Sequence, residues 1–263
     1  MSNRFEIVFQ RTKKEVRPAF MPFLVAGDPD YKTSLELFKS IASKADMLEI
    51  GFPYSDPLAD GPTIQAADER ALKSEINTDK VFSLIKEIRK FYSHPISVLV
   101  YVNLVYQYGI DKFYRQASLM GIDGVLIPDV PLEESQIFVA AAKKYKVSPV
   151  FMITQTTNNE RLKKILKVAE GYLYLVSVLG VTGTGNSLGK ETYDFIKRIK
   201  KNSKLPLALG FGISTREHIA NAAKAGIDGV IVGSAIIKIL EANLQNPDQA
   251  KNKIETFVSE LIA

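Results

Sequence analysis

The chain has 263 residues, no cysteine, two histidines and a net charge of +5. That excludes disulfides, thiolate nucleophiles and cysteine metal sites, argues against a histidine-built zinc site, and leaves acid–base work to carboxylates, Lys or Tyr. There is no apolar run of about 18 residues to span a membrane, and the lysine pairs (Lys13-Lys14, Lys143-Lys144, Lys163-Lys164, Lys200-Lys201) are scattered, so neither membrane nor nucleic acid is expected as a partner.

In chain order, residues 3–11 suggest a short helix, and the opening Met1-Ser2-Asn3-Arg4-Phe5-Glu6 carries no apolar secretory core, an expectation of a cytoplasmic protein. Residues 19–26 read as a buried strand, ended by Gly27-Asp28-Pro29-Asp30. Thr33 and Glu36 are spaced as a capping box for the helix that follows. Residues 47–50 form the next strand, a loop rich in Gly, Pro, Ser and Asp follows it, and helices are expected over 63–74 and 78–92. Strand 96–101 then precedes helix 110–120, strand 124–127 precedes helix 132–145 with Pro131 near its first turn, and strand 148–153 precedes helix 159–168. Strand 172–176 leads through a Gly/Thr-rich loop to helix 190–202, strand 207–209 to helix 214–225, and strand 229–232 to helix 234–243. A last amphipathic helix covers roughly 248–261.

Eight strand–helix units of short, apolar, buried-looking strands argue for helices covering a parallel sheet. A (β/α)8 barrel typically takes about 250 residues. The expected fold is therefore an α/β, single-domain (β/α)8 TIM barrel over residues 1–263, with an extra N-terminal and an extra C-terminal helix. A doubly wound open sheet is the alternative. The phrases Met120-Gly121-Ile122-Asp123-Gly124-Val125 and Ala225-Gly226-Ile227-Asp228-Gly229-Val230 recur at equivalent joints, each with Gly just past a helix and Asp-Gly where the next strand begins.

In such a barrel the chemistry sits in the loops after the strands. Alternation along 47–50 puts Leu48 and Ile50 on one face and Glu49 on the other, so Glu49 points inward if the leucine and isoleucine pack on helices. Asp60, in the following loop, can converge with it on one bound molecule; the plain alternative is an exposed carboxylate paired with Lys, and a turn. Three of the last four strands exit into glycine: Gly180–Gly183, Gly210-Phe211-Gly212 and Gly233-Ser234. Glycine allows close backbone approach and a helix N-terminus favours an anion, so Gly212, Gly233 and Ser234 suit a phosphate. Ser214 and Glu217 also fit a capping box, so Ser214 can be structural. Residues 179–188 read as a lid that would close over substrate. Phe23, Leu99, Leu126, Met152 and Tyr174 at strand ends would be core, or the wall of a flat aromatic pocket. The residues alone thus describe a barrel enzyme for a phosphorylated, partly apolar substrate, using carboxylates and no metal.

The run Glu49-Ile50-Gly51-Phe52-Pro53-Tyr54-Ser55-Asp56-Pro57-Leu58-Ala59-Asp60-Gly61-Pro62-Thr63-Ile64-Gln65 closely resembles tryptophan synthase alpha subunits. The likeness continues in family order through Pro22-Phe23, Gly27-Asp28-Pro29, Tyr101-Val102-Asn103-Leu104, Pro128-Asp129-Val130-Pro131, Gly180-Val181-Thr182-Gly183, Gly210-Phe211-Gly212-Ile213-Ser214 and Gly233-Ser234-Ala235-Ile236. The resemblance implies retro-aldol cleavage of indole-3-glycerol phosphate to indole and glyceraldehyde 3-phosphate. It implies Glu49 as acid–base residue and Asp60 as the group facing the indole nitrogen. It implies a phosphate site at Gly183, Phe211, Gly212, Gly233 and Ser234, an indole pocket of Phe23, Ile64, Leu99, Leu126 and Tyr174, and Thr182 as the lid threonine. It also implies contact with a beta subunit through Pro53 and Asp56 in an alpha2beta2 tetramer, with pyridoxal phosphate in the beta subunit and no cofactor in this chain. Thr154-Gln155 and Thr184-Gly185 stand where many relatives carry Ala-Pro and Ala-Arg; they bear on lid closure and coupling to the partner. A catalytically inactive regulatory barrel that only activates a beta-type partner is the alternative reading.

Overall fold

Eight parallel strands close on themselves in chain order: β1 Ala19–Val25, β2 Leu48–Gly51, β3 Ile96–Leu99, β4 Gly124–Leu126, β5 Ser148–Ile153, β6 Leu173–Val176, β7 Leu207–Gly210 and β8 Gly229–Val232, with β8 paired back to β1. The expected TIM barrel is the observed one. This computed structural model describes residues 4–176, 190–210 and 212–263. The described helices are α1 Arg4–Lys14, α2 Tyr31–Ala42, α3 Pro62–Lys73, α4 Thr78–Arg89, α5 Val102–Tyr108, α6 Ile110–Leu119, α7 Gln136–Lys144, α8 Asn159–Leu166, α9 Lys190–Asn202, α10 Arg216–Lys224, α11 Ser234–Glu241 and α12 Pro247–Ile262, with a 3-10 turn at Leu132–Glu134. None is long and apolar enough to cross a membrane.

The strands are buried because helices cover their outer face and side chains fill the inside. β1 has no exposed residue, and neither has β2 although it carries Glu49. In register, Glu49 lies between Phe23 of β1 and Ser97 of β3, which places its side chain on the inner face with theirs. The additional N-terminal helix closes the floor of the barrel. Phe5 and Phe9 of α1 pack on the Tyr172 ring at 5.5 and 6.3 Å between centroids, and Phe5 lies over Gly124 and Gly171 at the strand starts. The additional C-terminal helix α12 packs against α2, α10 and α11.

The repeated Asp at strand starts has a physical explanation in the structure. Asp46, Asp123 and Asp228 immediately precede the segments that enter β2, β4 and β8. Each carboxylate accepts the backbone N–H of the residue beside it on the previous strand: Phe20 at 2.9 Å, Ile96 at 2.9 Å and Leu207 at 2.7 Å. Each is also paired with cations, Asp46 with Arg11 and Arg17, Asp123 with Arg4 and Arg89, and Asp228 with Lys200.

Four local expectations need correction. The cap of α2 is Asp30, not Thr33: its backbone is extended, its carboxylate accepts the Thr33 N–H at 2.9 Å, and Thr33 donates its hydroxyl to the same group. Glu36 instead pairs with Lys39. The cap of α10 is Thr215, which accepts the His218 N–H, while the Ser214 N–H donates to His218 Nδ1. Strand β3 ends at Leu99, and the stretch expected to continue it turns at Tyr101 into α5. The helix expected over 132–145 divides at Ser135 into the 3-10 turn and α7, because the Ser135 hydroxyl and N–H both bond to Leu132 O.

Candidate active site

The C-terminal ends of the strands surround a cavity of about 310 Å³. Phe23, Asp60, Ile64, Leu99, Tyr174, Gly212, Gly233 and Ser234 all line it, so eight of the residues singled out from the sequence converge on one space. Met152 lines it too. Leu126 is buried beside Leu99 in register but is not part of the lining. Thr182, Gly183, Phe211 and the lid segment 179–188 lie outside the described residues.

Glycines let the aromatic walls come close. A β-carbon at Gly233 would stand 2.9 Å from the Phe23 ring, and one at Gly51 would stand 2.7 Å from it. Both glycines therefore admit the ring where any side chain would push it away. Gly212 has φ of +80°, a left-handed conformation that glycine adopts without strain.

Glu49 is fully buried inside the barrel, beside the cavity-lining Phe23 in register, and is not itself on the accessible lining. Its Oε1 lies 3.3 Å from the Tyr172 hydroxyl, and its Oε2 has no partner among the described residues. The same phenol lies 2.9 Å from Ser97 Oγ, so Tyr172 ties β6 to β2 and β3 across the barrel interior. Burial drives the Glu49 pKa from 4.5 up to about 8; the Tyr172 hydrogen bond opposes the rise and the Asp60 charge adds to it. At neutral pH the carboxyl keeps its proton. The Tyr172 hydroxyl donates to Oε1 while the Ser97 hydroxyl donates to the phenol oxygen, which leaves the proton of the neutral carboxyl on Oε2.

Asp60 is positioned by the loop between β2 and α3. Its N–H donates to Pro57 O at 3.0 Å, and Gln65 Nε2 donates to its carbonyl at 2.9 Å. Its carboxylate accepts the Tyr101 hydroxyl at 2.7 Å, and that hydroxyl in turn accepts the Ala59 N–H at 3.0 Å. Burial raises the Asp60 pKa and the Tyr101 bond pulls it back. Tyr101 is itself held by stacking on Tyr54, 4.9 Å between centroids. Glu49 and Asp60 are thus two carboxyls of different character, one buried and protonated, the other at the cavity wall and hydrogen-bonded.

On the same side of the cavity, α11 follows β8 and begins at Ser234 with its first N–H groups free of intrahelical partners, an arrangement that favours an anion. Lys238 lies one turn along and also lines the cavity. No group of three or more His, Asp or Glu able to hold a metal ion occurs among the described residues. Pro53 is buried within the chain, whereas Asp56 and the neighbouring Leu58 are exposed beside the cavity mouth.

Several residues at the site escaped the sequence reading. Tyr172 lies at the start of its strand, the wrong end for chemistry, and reaches the interior only by the length of its side chain. Tyr101 was visible inside a family-like motif, yet nothing local told of its bond to Asp60. Asp68 on α3 is 3% exposed; burial pushes it up to about 8, with the Asp60 and Asp28 charges adding and the Tyr54 backbone N–H opposing.

Comparisons with known proteins agree with this geometry. The sequence model of the family described as tryptophan synthase alpha chain matches residues 9–263. The chain is 49% identical over 260 residues to the tryptophan synthase alpha chain of Methanoregula boonei, covering 98% of this chain and 97% of that protein. It is 43% identical over 263 residues to the alpha chain of Helicobacter pylori strain J99, covering 99% and 100%. Among solved structures, it superposes with a TM-score of 0.88 at 36% identity on a chain of Pyrococcus furiosus, covering 94% of this chain and 98% of that one, from work on mutual activation of the tryptophan synthase a2b2 complex.

Proposed function

The chain belongs to the tryptophan synthase alpha-chain family, and we propose that Glu49 and Asp60 perform the lyase reaction of that subunit, the retro-aldol cleavage of indole-3-glycerol phosphate to indole and D-glyceraldehyde 3-phosphate. The observation that carries the reading is the buried, proton-holding Glu49, beside the cavity-lining Phe23 in register and close enough to Asp60 on the cavity wall to feel its charge. Protonating indole carbon 3 places positive charge on the ring nitrogen. Glu49 supplies that proton, and Oε2, which makes no bond to the described protein, is the oxygen free to present it. Asp60, ionised, accepts the ring N–H and stabilises the developing charge. The bond from carbon 3 to the side chain then breaks. Its electron pair returns to the ring, and the Glu49 carboxylate takes the proton of the side-chain hydroxyl as the aldehyde forms.

Phe23, Ile64, Leu99 and Tyr174 hold the indole ring. Gly212, Gly233 and Ser234 receive the phosphate, joined by Gly183 and Phe211. Thr182 and the segment around it close the site. In this reading the chain works in an alpha2beta2 assembly, as the Pyrococcus furiosus relative does, and meets the beta subunit through the loop of Pro53 and Asp56. The beta subunit holds pyridoxal phosphate and condenses the released indole with L-serine to L-tryptophan. This chain brings no cofactor of its own.

The test is indole release from indole-3-glycerol phosphate, with and without a beta subunit. Glu49→Gln should lose about 10²-fold or more while the circular dichroism of the folded chain is retained. Near-wild-type turnover by that variant would remove Glu49 from the reaction. An inactive wild-type chain that still stimulates the beta reaction would establish the regulatory alternative instead.

A further inference from the structure

A second cavity, of about 370 Å³, lies outside the barrel wall, between β4 and β5 and their covering helices. Leu126 faces the barrel interior with its register partner Leu99, so alternation turns Val125 outward, together with Phe151 on β5. These form the cavity floor. Phe138 and Val139 of α7 and Ile165 of α8 cover it. The pocket opens to solvent beside the exposed Asp129 and Pro131. The volume here falls at the lower end of the roughly 300–1,000 Å³ range of small-molecule sites.

One polar group in the lining is unspent. Tyr114 of α6 is 2% exposed, and its hydroxyl has no hydrogen-bond partner among the described residues. That hydroxyl opens onto the pocket, so a ligand there can bond to it. The charged groups at the rim are already engaged: Arg161 makes a two-point pair with Glu133, and Asp129 accepts the Val102 N–H at 2.9 Å. An anionic ligand therefore finds no free cation there, whereas a neutral ring with one hydrogen-bonding atom finds apolar walls and a phenol.

We propose that this cavity is a second ligand site, taking a small neutral aromatic molecule with a single N–H or O–H group, of the phenol or indole class, with its polar atom on Tyr114. The proposal stands whatever reaction the first cavity carries out. Pro128 and Met152 line both cavities, so an occupant of the second touches the wall of the first.

Methyl-labelled methionine resonances read this directly. Met152 is the methionine in the lining, while Met21 and Met47 are core residues elsewhere. Titrating the full chain with phenol should shift the Met152 methyl saturably. Val139→Trp, which fills the second cavity, should abolish the shift that remains in Ile64→Trp, whose first cavity, also lined by Met152, is filled. Tyr114→Phe, nearly isosteric, should weaken binding about fivefold, the loss of one hydrogen bond. Ile64→Trp, which fills the first cavity, should leave the shift in place. Absence of a saturable shift, its persistence with unchanged affinity in Tyr114→Phe, or its loss in Ile64→Trp would each overturn the proposal. Should Val139→Trp fail to fold, the Tyr114→Phe and Ile64→Trp pair decides alone.

Discussion

Tyr174 and Gly210 occupy space that only one side chain can fill: a β-carbon added at Gly210 would overlap the Tyr174 hydroxyl and ring. Tyr174 walls the candidate active site, so the glycine sets where that wall stands. Overpacking of this kind costs about 1–3 kcal/mol. Gly210→Ala should therefore raise the KM for indole-3-glycerol phosphate by about tenfold or more as Tyr174 shifts. Steady-state kinetics checks this, and an unchanged KM would show that the ring is not part of the substrate wall.

Glu49 gives stability a pH dependence of definite sign. Its folded pKa of about 8 lies above the ordinary 4.5, so between those values the unfolded chain releases a proton that the folded chain retains. Stability falls as pH rises through that window, by about 1.4 kcal/mol per pH unit from this group. Glu49→Gln should flatten the fall, so that the variant gains on wild type between pH 5 and pH 8 in urea unfolding. Activity should also decline above about pH 8, where the proton to be donated is gone.

Asp60 and Tyr101 should separate by role. Asp60→Asn removes the charge that faces the ring nitrogen and should cost about 10²–10³ in kcat. Tyr101→Phe keeps the Asp60 charge and removes the hydrogen bond that holds its pKa down, together with the acceptor of the Ala59 N–H. Its acid limb in a pH–rate profile should move to higher pH with a much smaller loss at the optimum. Equal losses in the two variants would contradict the assignment.

Asp68 should tolerate loss of its charge but not of its shape. It holds a proton up to about pH 8 because it is buried and lies near Asp60 and Asp28. Asp68→Asn should change stability at pH 7 by less than about 1 kcal/mol, whereas Asp68→Ala, which leaves the Tyr54 N–H without its acceptor, should cost about 1–3 kcal/mol. Urea unfolding of both variants at pH 7 and pH 9 distinguishes these outcomes.

Asp46 carries the opposite sign. Burial alone would raise its pKa, but the Arg17 hydrogen bond, the Phe20 N–H and the Arg17 and Arg11 charges bring it below the ordinary value. Its contribution is present above the unfolded carboxylate pKa of about 3.9 and lost as pH falls through the lower folded value. Asp46→Asn should narrow the difference in thermal midpoint between pH 6 and pH 2.

The barrel was legible because its strands are short apolar runs framed by amphipathic helices, a pattern set by local composition. Glu49 was legible through alternation and Asp60 through a long motif. What escaped depends on closure of the sheet. The strand expected over 96–101 ends at Leu99 instead, and α5 begins at Val102, with Val105 buried in the core and Tyr101 bonded to Asp60. Asp30 outcompeted Thr33 as a cap because the helix starts at Tyr31, and a spacing rule does not fix that boundary. The Tyr172–Glu49 contact spans 123 residues, and no window along the chain contains both.

The aspartates that fasten β2, β4 and β8 to their preceding strands lie at the floor of the barrel, remote from the cavity-lining loops. Cohesion and reactivity thus reside at opposite mouths of the same cylinder. A library seeking new substrates can draw its diversity from the rim and leave these rivets alone, and loops grafted from related barrels should be accepted most readily where the recipient keeps all three.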